Sequence, residues 1–388
     1  VSHPKGFVPR PELLELFDLL PEDLTHGIPA TSDDINQAVF NRYEAVIPTG
    51  VNEAALNKAS SWIYQIFAPW MTQRFATHEE VIAHMDYSTS PGFPYNSLFT
   101  SKGGLFEAWG HSWLLDCWKR YILQGEPYQG VFMQFLKEEL REILADGSVK
   151  DPHGILAGPI DLVYIGSRLF LSQNEGFYAS CLSTPSAVGI SRDGLDWHAL
   201  WLKLSRFSAG AESDISKMDS RMCELLMMRI RDLRKLWAFC ATDLELAGID
   251  AYYDMLCNTT CLVNHDLYQK EGGNPTGSVN TTPDNTLVKL LITFYAIIVM
   301  YPTITYAQLT ERMALVVYSD DDAWTWDKDK IDLSPERFIN ILGPTFGYQI
   351  KTPGEMPVER LTFLGAGFLM SPFAGTHIAV PIFNEDKM

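Results

Sequence analysis

The run Tyr318-Ser319-Asp320-Asp321 holds the side chains best suited to chemistry in this sequence. It follows Met313-Ala314-Leu315-Val316-Val317, an apolar stretch that reads as a buried strand. Two adjacent carboxylates at the tip of such a strand must be hydrated, paired or bound to a cation. Carboxylate oxygens suit Mg²⁺, so the segment is a candidate metal turn between two strands. Asp-Asp pairs also occur as ordinary solvated turn residues, so the rest of the chain has to decide between the two.

Two further segments bear on that decision. The first is Asp214-x4-Asp219. Taken alone, Asp214 reads as a helix N-cap before Met218. If its strand neighbours the hairpin, however, Asp214 comes to lie beside Asp320 and Asp321, because adjacent strands sit about 4.8 Å apart. The three acids could then hold two Mg²⁺ about 3.5–4 Å apart, which activate an attacking hydroxyl and stabilise a leaving pyrophosphate. The second segment runs from Gly272-Gly273-Asn274-Pro275-Thr276-Gly277 to Asn285-Thr286-Leu287. Glycines allow close backbone approach to a ligand, and the polar run offers hydroxyl and amide groups. Cys257-x3-Cys261-x3-His265 has zinc-like spacing, but 261–270 alternates like a strand and no fourth ligand is evident, so buried cysteines are the better reading.

The elements that must position these residues follow from periodicity. Residues 10–75 read as mostly helical, Ser90-Pro91-Gly92-Phe93-Pro94-Tyr95 as a rigid loop, 105–123 as a Trp-rich helix and 145–161 as a loop. A helical pattern runs from Met222 to about Leu246, and 261–270 alternates as strand. Leu287, Leu290, Leu291, Phe294, Ile297 and Ile298 share one helix face within 286–300. Ser334-Pro335-Glu336 opens a helix that stops near Gly343-Pro344, and 362–368 reads as strand. The pattern is mixed α/β (α+β), with helices packed on an antiparallel sheet.

Composition sets outer bounds. The 388 residues are 46% hydrophobic, enough for a sizeable core, and carry a net charge of −18. That charge argues against whole-surface nucleic-acid binding, so any basic channel must be local. Six cysteines in a chain of this length form no dense disulfide framework, which points to a reducing compartment. Val1 begins the chain without an initiator Met, so it reads as a cleavage product or excised fragment, with no signal peptide. The apolar run Leu287 to Met300, interrupted by Lys289, is shorter than a membrane span and reads as a core helix, so no transmembrane segment is expected.

The ordered set Asp214-x4-Asp219, Thr276-Gly277-x3-Thr281-x3-Asn285 and Ser319-Asp320-Asp321 resembles the palm motifs of RNA-dependent RNA polymerases of positive-strand RNA viruses, in the picorna-, poty- and astrovirus-like groups. Ser90-Pro91-Gly92-Phe93-Pro94-Tyr95 resembles a picornavirus-like fingers loop along the template path. Lys137-Glu138-Glu139-Leu140-Arg141 resembles the start of the motif that admits NTPs. The resemblance covers roughly 85–370. It implies a right-hand polymerase with an RRM-like antiparallel palm sheet: residues 1–200 fingers with an N-terminal helical region, 201–250 palm, 251–272 a fingers/palm hairpin, and 273–388 palm. Only 20 residues follow Phe368, so the thumb is expected to be truncated or reduced.

The roles implied are these. Asp214 and Asp320, with Asp321 secondary, would bind two Mg²⁺, for which Mn²⁺ can substitute. Asp219 and Asn285, helped by Thr276 or Thr281 beside Gly277, would read the ribose 2′-hydroxyl. Arg168 and Lys137 would contact the nucleotide, Lys351 would act as general acid, and Ser90, Pro91, Gly92 and Pro94 would line the template path. RNA template, primer or nascent strand, NTPs and other viral replication proteins would be partners, in the host cytoplasm. The sequence departs from the family where Ser319 replaces a usual Gly, where Asp322 offers a fallback ligand, and where 363–368 lacks a basic residue. A reverse transcriptase, which would prefer dNTPs, and a catalytically degenerate binding module, which would not bind divalent metal, remain as alternatives.

Overall fold

The computed structural model describes residues 26–43, 46–71, 74–128, 130–192, 194–373 and 376–383. The part of the expected N-terminal helical region up to residue 25 lies outside the described residues. Beyond it come helices α1 (Asp33–Phe40), α2 (Glu53–Phe67), α3 (His78–His84), α4 (Lys102–Trp109) and α5 (Trp113–Trp118). Asn52 caps α2 by accepting from Ala55 N, and Thr77 with Glu80 forms a capping box on α3. Gly110, at φ +67°, breaks the single Trp-rich helix expected over 105–123 into α4 and α5.

Two sheets organise the rest. The first has the order β4-β2-β6-β7, from β2 (Val131–Leu136), β4 (Gly154–Ala157), β6 (Asn258–Val263) and β7 (Asp266–Glu271); the short β1 (His26–Gly27) and β3 (Arg141–Glu142) pair separately. The expected loop over 145–161 thus contains an edge strand. It is only four residues long and is followed by Pro159, so no alternation was visible in it. α6 (Ile160–Ala179) and α7 (Asp196–Leu204) lead to the second sheet. Its strands are β5 (Ala209–Ile215), β8 (Met313–Tyr318), β9 (Asp321–Trp326), β10 (Ile350–Lys351) and β11 (Met356–Pro357), in the order β10-β5-β9-β8, with β11 also pairing β5. All its pairings are antiparallel.

Helices α8 (Glu224–Trp237), α9 (Asp243–Cys257), α10 (Thr281–Met300), α11 (Tyr306–Thr310) and α12 (Pro335–Phe346) complete the core. The one helix expected from Met222 to Leu246 is two, because Thr242 and Glu245 form a capping box that starts α9. Pro344 does not stop α12, which runs to Phe346 and ends at Gly347 in the left-handed region, φ +69°. In α10 every residue from Pro283 to Ile298 is buried, and the helix packs on α2, α8 and α12. It is long and apolar enough to cross a membrane, but 89% of its most apolar window is buried inside the protein, which makes it the central core helix. The strand expected over 362–368 is the start of a hairpin, β12 (Ala366–Phe373) with β13 (Thr376–Phe383). All six cysteines are free.

Candidate active site

The second sheet brings the acids together. β5 pairs with β9 in the register Ser213↔Asp322, so Asp214, the next residue along β5, lies at the same end of the sheet as the Asp320-Asp321 turn. Tyr318↔Asp321 closes the β8–β9 hairpin around Ser319 and Asp320. Ser319 adopts φ +57°, a left-handed conformation that favours Gly. Two contacts from α10 hold it: Ser319 N donates to Thr286 Oγ1 at 2.8 Å, and Asn285 Nδ2 donates to Ser319 Oγ at 3.3 Å. The hydroxyl thus offsets the backbone strain that a Gly would avoid.

Burial and mutual repulsion shape the electrostatics of these acids. Asp320 is solvent-accessible at the tip of the turn, but its surroundings partly withdraw the carboxyl from water. Its affinity for a proton is raised first by that desolvation and then by Asp214. Asp321 is pushed up to about 6 by burial, then by Asp320, Asp214 and Asp322. Asp219 is raised by burial and, less, by Asp320, while His153 opposes the shift. Among the described residues no three Asp, Glu, His or Cys side chains close on one point as a finished metal cage. Mg²⁺ is commonly held by one or two carboxylates plus substrate phosphates and water, and this donor set fits that mode.

Asp322, the fallback ligand, is not available to a metal. It is buried, its Oδ1 accepts from Ser213 N at 3.0 Å and Ser213 Oγ at 2.7 Å, and its Oδ2 faces Lys289 Nζ at 3.3 Å. The register is therefore Ser319-Asp320-Asp321.

These values fix the sign of a pH effect. An unfolded Asp ionises near the ordinary value of about 3.9, whereas Asp321 does so at about 6 in the folded protein. Between those values the folded state binds more protons at Asp321, so this group's contribution to the stability of the metal-free protein falls as pH rises from about 4 to about 6. A divalent cation reverses the repulsion only when the acids are ionised. Thermal melts with and without Mn²⁺ are expected to show larger stabilisation at pH 7.5 than at pH 5.

The loop 272–280 links this site to the first sheet. Asn274 N donates to Asp219 O at 2.7 Å and Asn274 Nδ2 to Asn285 Oδ1 at 2.9 Å, so one buried asparagine ties the two expected ribose-reading residues together. Thr276 Oγ1 accepts from Leu156 N at 2.9 Å, and Gly277 N donates to Leu156 O at 2.8 Å. Thr281 Oγ1 donates to Pro275 O and Ser278 O. The two threonine hydroxyls thus serve the loop's own conformation, with Thr276 docking it on β4. A Cβ on Gly277 would lie 2.3 Å from Leu156 O. Gly277→Ala is expected to destabilise the protein by about 1–3 kcal/mol in urea unfolding, because a backbone atom cannot rotate away.

The template-loop candidates converge on the same place. Ile160 N donates to Pro91 O at 2.9 Å, Gly92 N donates to Ser90 Oγ at 3.2 Å, and a Cβ on Gly92 would lie 2.4 Å from Gly158 O. The Phe93–Pro94 peptide is cis. Ser90 to Pro94, β4 and Thr276-Gly277 therefore meet around residues 156–159.

The basic candidates divide. Lys351 stands directly opposite Asp214 in the β10–β5 register and is exposed. Lys137 follows β2 and pairs with Glu139 at 2.9 Å; Arg141, at 3.6 Å, and His153 reach the same carboxylate. Arg168 is not brought to the acids. It lies within α6, its guanidinium 4.1 Å over the Trp118 ring with Nε donating to Ala76 O at 3.3 Å. His153, by contrast, lies on the Glu139 carboxylate beside Lys137. Asn274, His153 and Lys289 were not singled out by sequence reasoning; only Lys289, a charge inside an apolar helical run, left a visible signal.

The family model described as viral RNA-dependent RNA polymerase matches residues 31–374. Genome polyprotein 1 of Barley yellow mosaic virus (isolate Germany) is 28% identical over 344 residues, covering 80% of this chain and 14% of the polyprotein. The genome polyprotein of Human klassevirus 1 is 24% identical over 376 residues, covering 90% of this chain and 15% of the polyprotein. The chain thus spans about a seventh of the length of these relatives. A Sicinivirus 3Dpol RNA-dependent RNA polymerase structure matches with a TM-score of 0.76 at 18% identity, over 94% of this chain and 79% of the other, which shows an α+β right-hand polymerase fold. With its acids gathered on one antiparallel sheet and the family match running through all of them, the chain belongs to the viral RNA-dependent RNA polymerase family.

Proposed function

We propose that this chain carries out template-directed RNA synthesis, adding NTPs to an RNA 3′-hydroxyl during viral genome replication. The observation that carries this reading is the β5–β9 pairing, which sets Asp214 beside the Asp320-Asp321 turn. Asp214 and Asp320, with Asp321, would hold two Mg²⁺, or Mn²⁺ in its place. When bound, such ions favour ionisation of the attacking hydroxyl and stabilise the charge of the leaving pyrophosphate.

The chain's own residues do the remaining work. Asp219 and Asn285, tied through Asn274, present polar groups to the ribose, and a sugar lacking the 2′-hydroxyl leaves them unpaired. Lys351, opposite Asp214 in the β10–β5 register, would give a proton to pyrophosphate. Lys137, with Arg141, would supply positive charge for the triphosphate, and Ser90, Pro91, Gly92 and Pro94 would line the template path. In this reading the β10-β5-β9-β8 sheet is palm and the β4-β2-β6-β7 sheet belongs to the fingers. RNA template, nascent strand and NTPs are the ligands, other viral replication proteins are partners, and the host cytoplasm is the setting.

Primer extension on an RNA template tests the reading, with NTPs against dNTPs and Mg²⁺ against Mn²⁺. Ribonucleotide-dependent extension is the expected result. Preference for dNTPs would make the chain a reverse transcriptase, and extension that needs no divalent cation would remove the metal assignment.

A further inference from the structure

Lys289 is the one charged residue in the buried stretch of α10 after Asp284, and it is 2% exposed. Its ammonium makes three contacts: to Ser213 Oγ at 3.1 Å, to the backbone carbonyl of Asp320 at 3.0 Å, and to Asp322 Oδ2 at 3.3 Å. Ser213 precedes Asp214, Asp320 is itself an expected metal ligand, and Asp322 follows Asp321. An apolar side chain would fill this core position without the desolvation cost of an ammonium. The charge is therefore spent on joining the two chain segments that carry the acids. It approaches them from behind, through a carbonyl, a hydroxyl and the one acid that faces away from the site, and makes no hydrogen bond to the carboxylates of Asp214, Asp320 or Asp321.

We infer that Lys289 is a positioning residue for the metal site, fixing the end of β5 and the Asp320 turn at one separation. The inference rests on the metal reading given above. It is distinct from two simpler roles. A plain core ion pair would affect only stability. A counter-charge would repel divalent cations, so its removal would strengthen their binding. A positioning residue does the opposite: its removal weakens binding, because the acids no longer converge.

The test is the double variant Lys289→Met with Asp322→Asn, which removes both charges together and keeps an oxygen for Ser213 N–H. Mn²⁺ affinity is read from the paramagnetic resonance of free Mn²⁺, without RNA or NTP, and turnover from primer extension on the same protein. The expected result is a folded protein by circular dichroism, Mn²⁺ affinity weaker by about tenfold or more, and kcat lower by about 100-fold with little change in KM, the size of effect that small misplacements of reacting groups produce. A folded variant with wild-type or tighter Mn²⁺ binding and wild-type kcat overturns the inference. If the double variant does not fold, Lys289→Arg decides. It keeps the ion pair, but a longer planar head cannot reproduce the three contacts, so both readouts fall if Lys289 positions and stay at wild type if it does not. Wild-type protein that binds Mn²⁺ but extends no primer would refute the proposed activity, while the Mn²⁺ measurements would still judge Lys289.

Discussion

Asp320→Asn is expected to cut primer extension by about 10³-fold or more while leaving the fold intact. The substitution keeps the size of the side chain and every backbone contact of the turn, including the Tyr318↔Asp321 pairing and the carbonyl that accepts from Lys289. What it removes is one anionic oxygen from the metal site. Metal ions supply several kcal/mol of charge stabilisation in the transition state, and each 1.36 kcal/mol lost is tenfold in rate, which sets the scale at about 10³. Stability should move the other way. Burial and the neighbouring acids raise the proton affinity of Asp320 and Asp321, so removing one carboxylate relieves repulsion in the metal-free protein. The variant should therefore melt at or above the wild-type temperature without metal and gain less from Mn²⁺. Single-turnover extension paired with melts checks both halves. Extension within about tenfold of wild type would mean that Asp320 is not a principal metal ligand.

The opposite signs of these two effects show why so much of the site was legible in the sequence. Acids at a strand tip are a local cost, and a local cost shows in the sequence wherever it is paid. Asp320-Asp321 after an apolar strand, Asp214 before a polar turn, and a Gly-rich loop feeding an apolar helix each have an ordinary reading alone and point to a site only as an ordered set, and the register Ser213↔Asp322 joins Asp214 to the Asp pair. What could not be read depends on partners far along the chain. Arg168 carries the right chemistry for a phosphate, but its place within α6 commits it to Trp118 and Ala76, and no feature of Gly166-Ser167-Arg168 shows that. β4 is four residues long, and its identity as a strand lies in β2, which it pairs with, and in Thr276-Gly277, which docks on it. Thr276 and Thr281 have the hydroxyls expected of ribose readers, and their further contacts, Thr276 accepting from Leu156 N of β4 and Thr281 donating to carbonyls of its own loop, leave no mark in the spacing. Side chains that hold other side chains in place, such as Asn274 and Lys289, have no spacing of their own to reveal them.

The largest stability effect should come from Arg234, whose role follows from the same kind of distant pairing. Arg234 in α8 and Asp284 at the start of α10 are both fully buried and paired at 2.7 Å. Arg234 also donates to Asn174 Oδ1 at 2.9 Å in α6, and Tyr253 OH in α9 donates to Asp284 Oδ2 at 2.6 Å. Four helices thus meet on one ion pair, one residue before Asn285. Arg234→Met leaves the Asp284 carboxylate buried with only the Tyr253 hydroxyl, and breaking a buried pair from one side costs about 3–5 kcal/mol. The sign of the pH dependence identifies the cause. Burial already pushes the Asp284 carboxyl up, and Arg234 is the main group opposing that shift. Without Arg234 the folded state would bind a proton at Asp284 far more readily than the unfolded state does. The variant's deficit should therefore be greatest at neutral pH and shrink as pH falls and the carboxyl takes up its proton. Adding Asp284→Asn to Arg234→Met removes the uncompensated charge, keeps an oxygen for Tyr253, and should recover more than half of the loss. Urea unfolding of the single and double variants at pH 5 and pH 7.5 separates the outcomes. A deficit that does not change with pH and is not relieved in the double variant would show that Arg234 acts through packing on Phe170, which its guanidinium overlies at 5.5 Å, and not through the charge of Asp284.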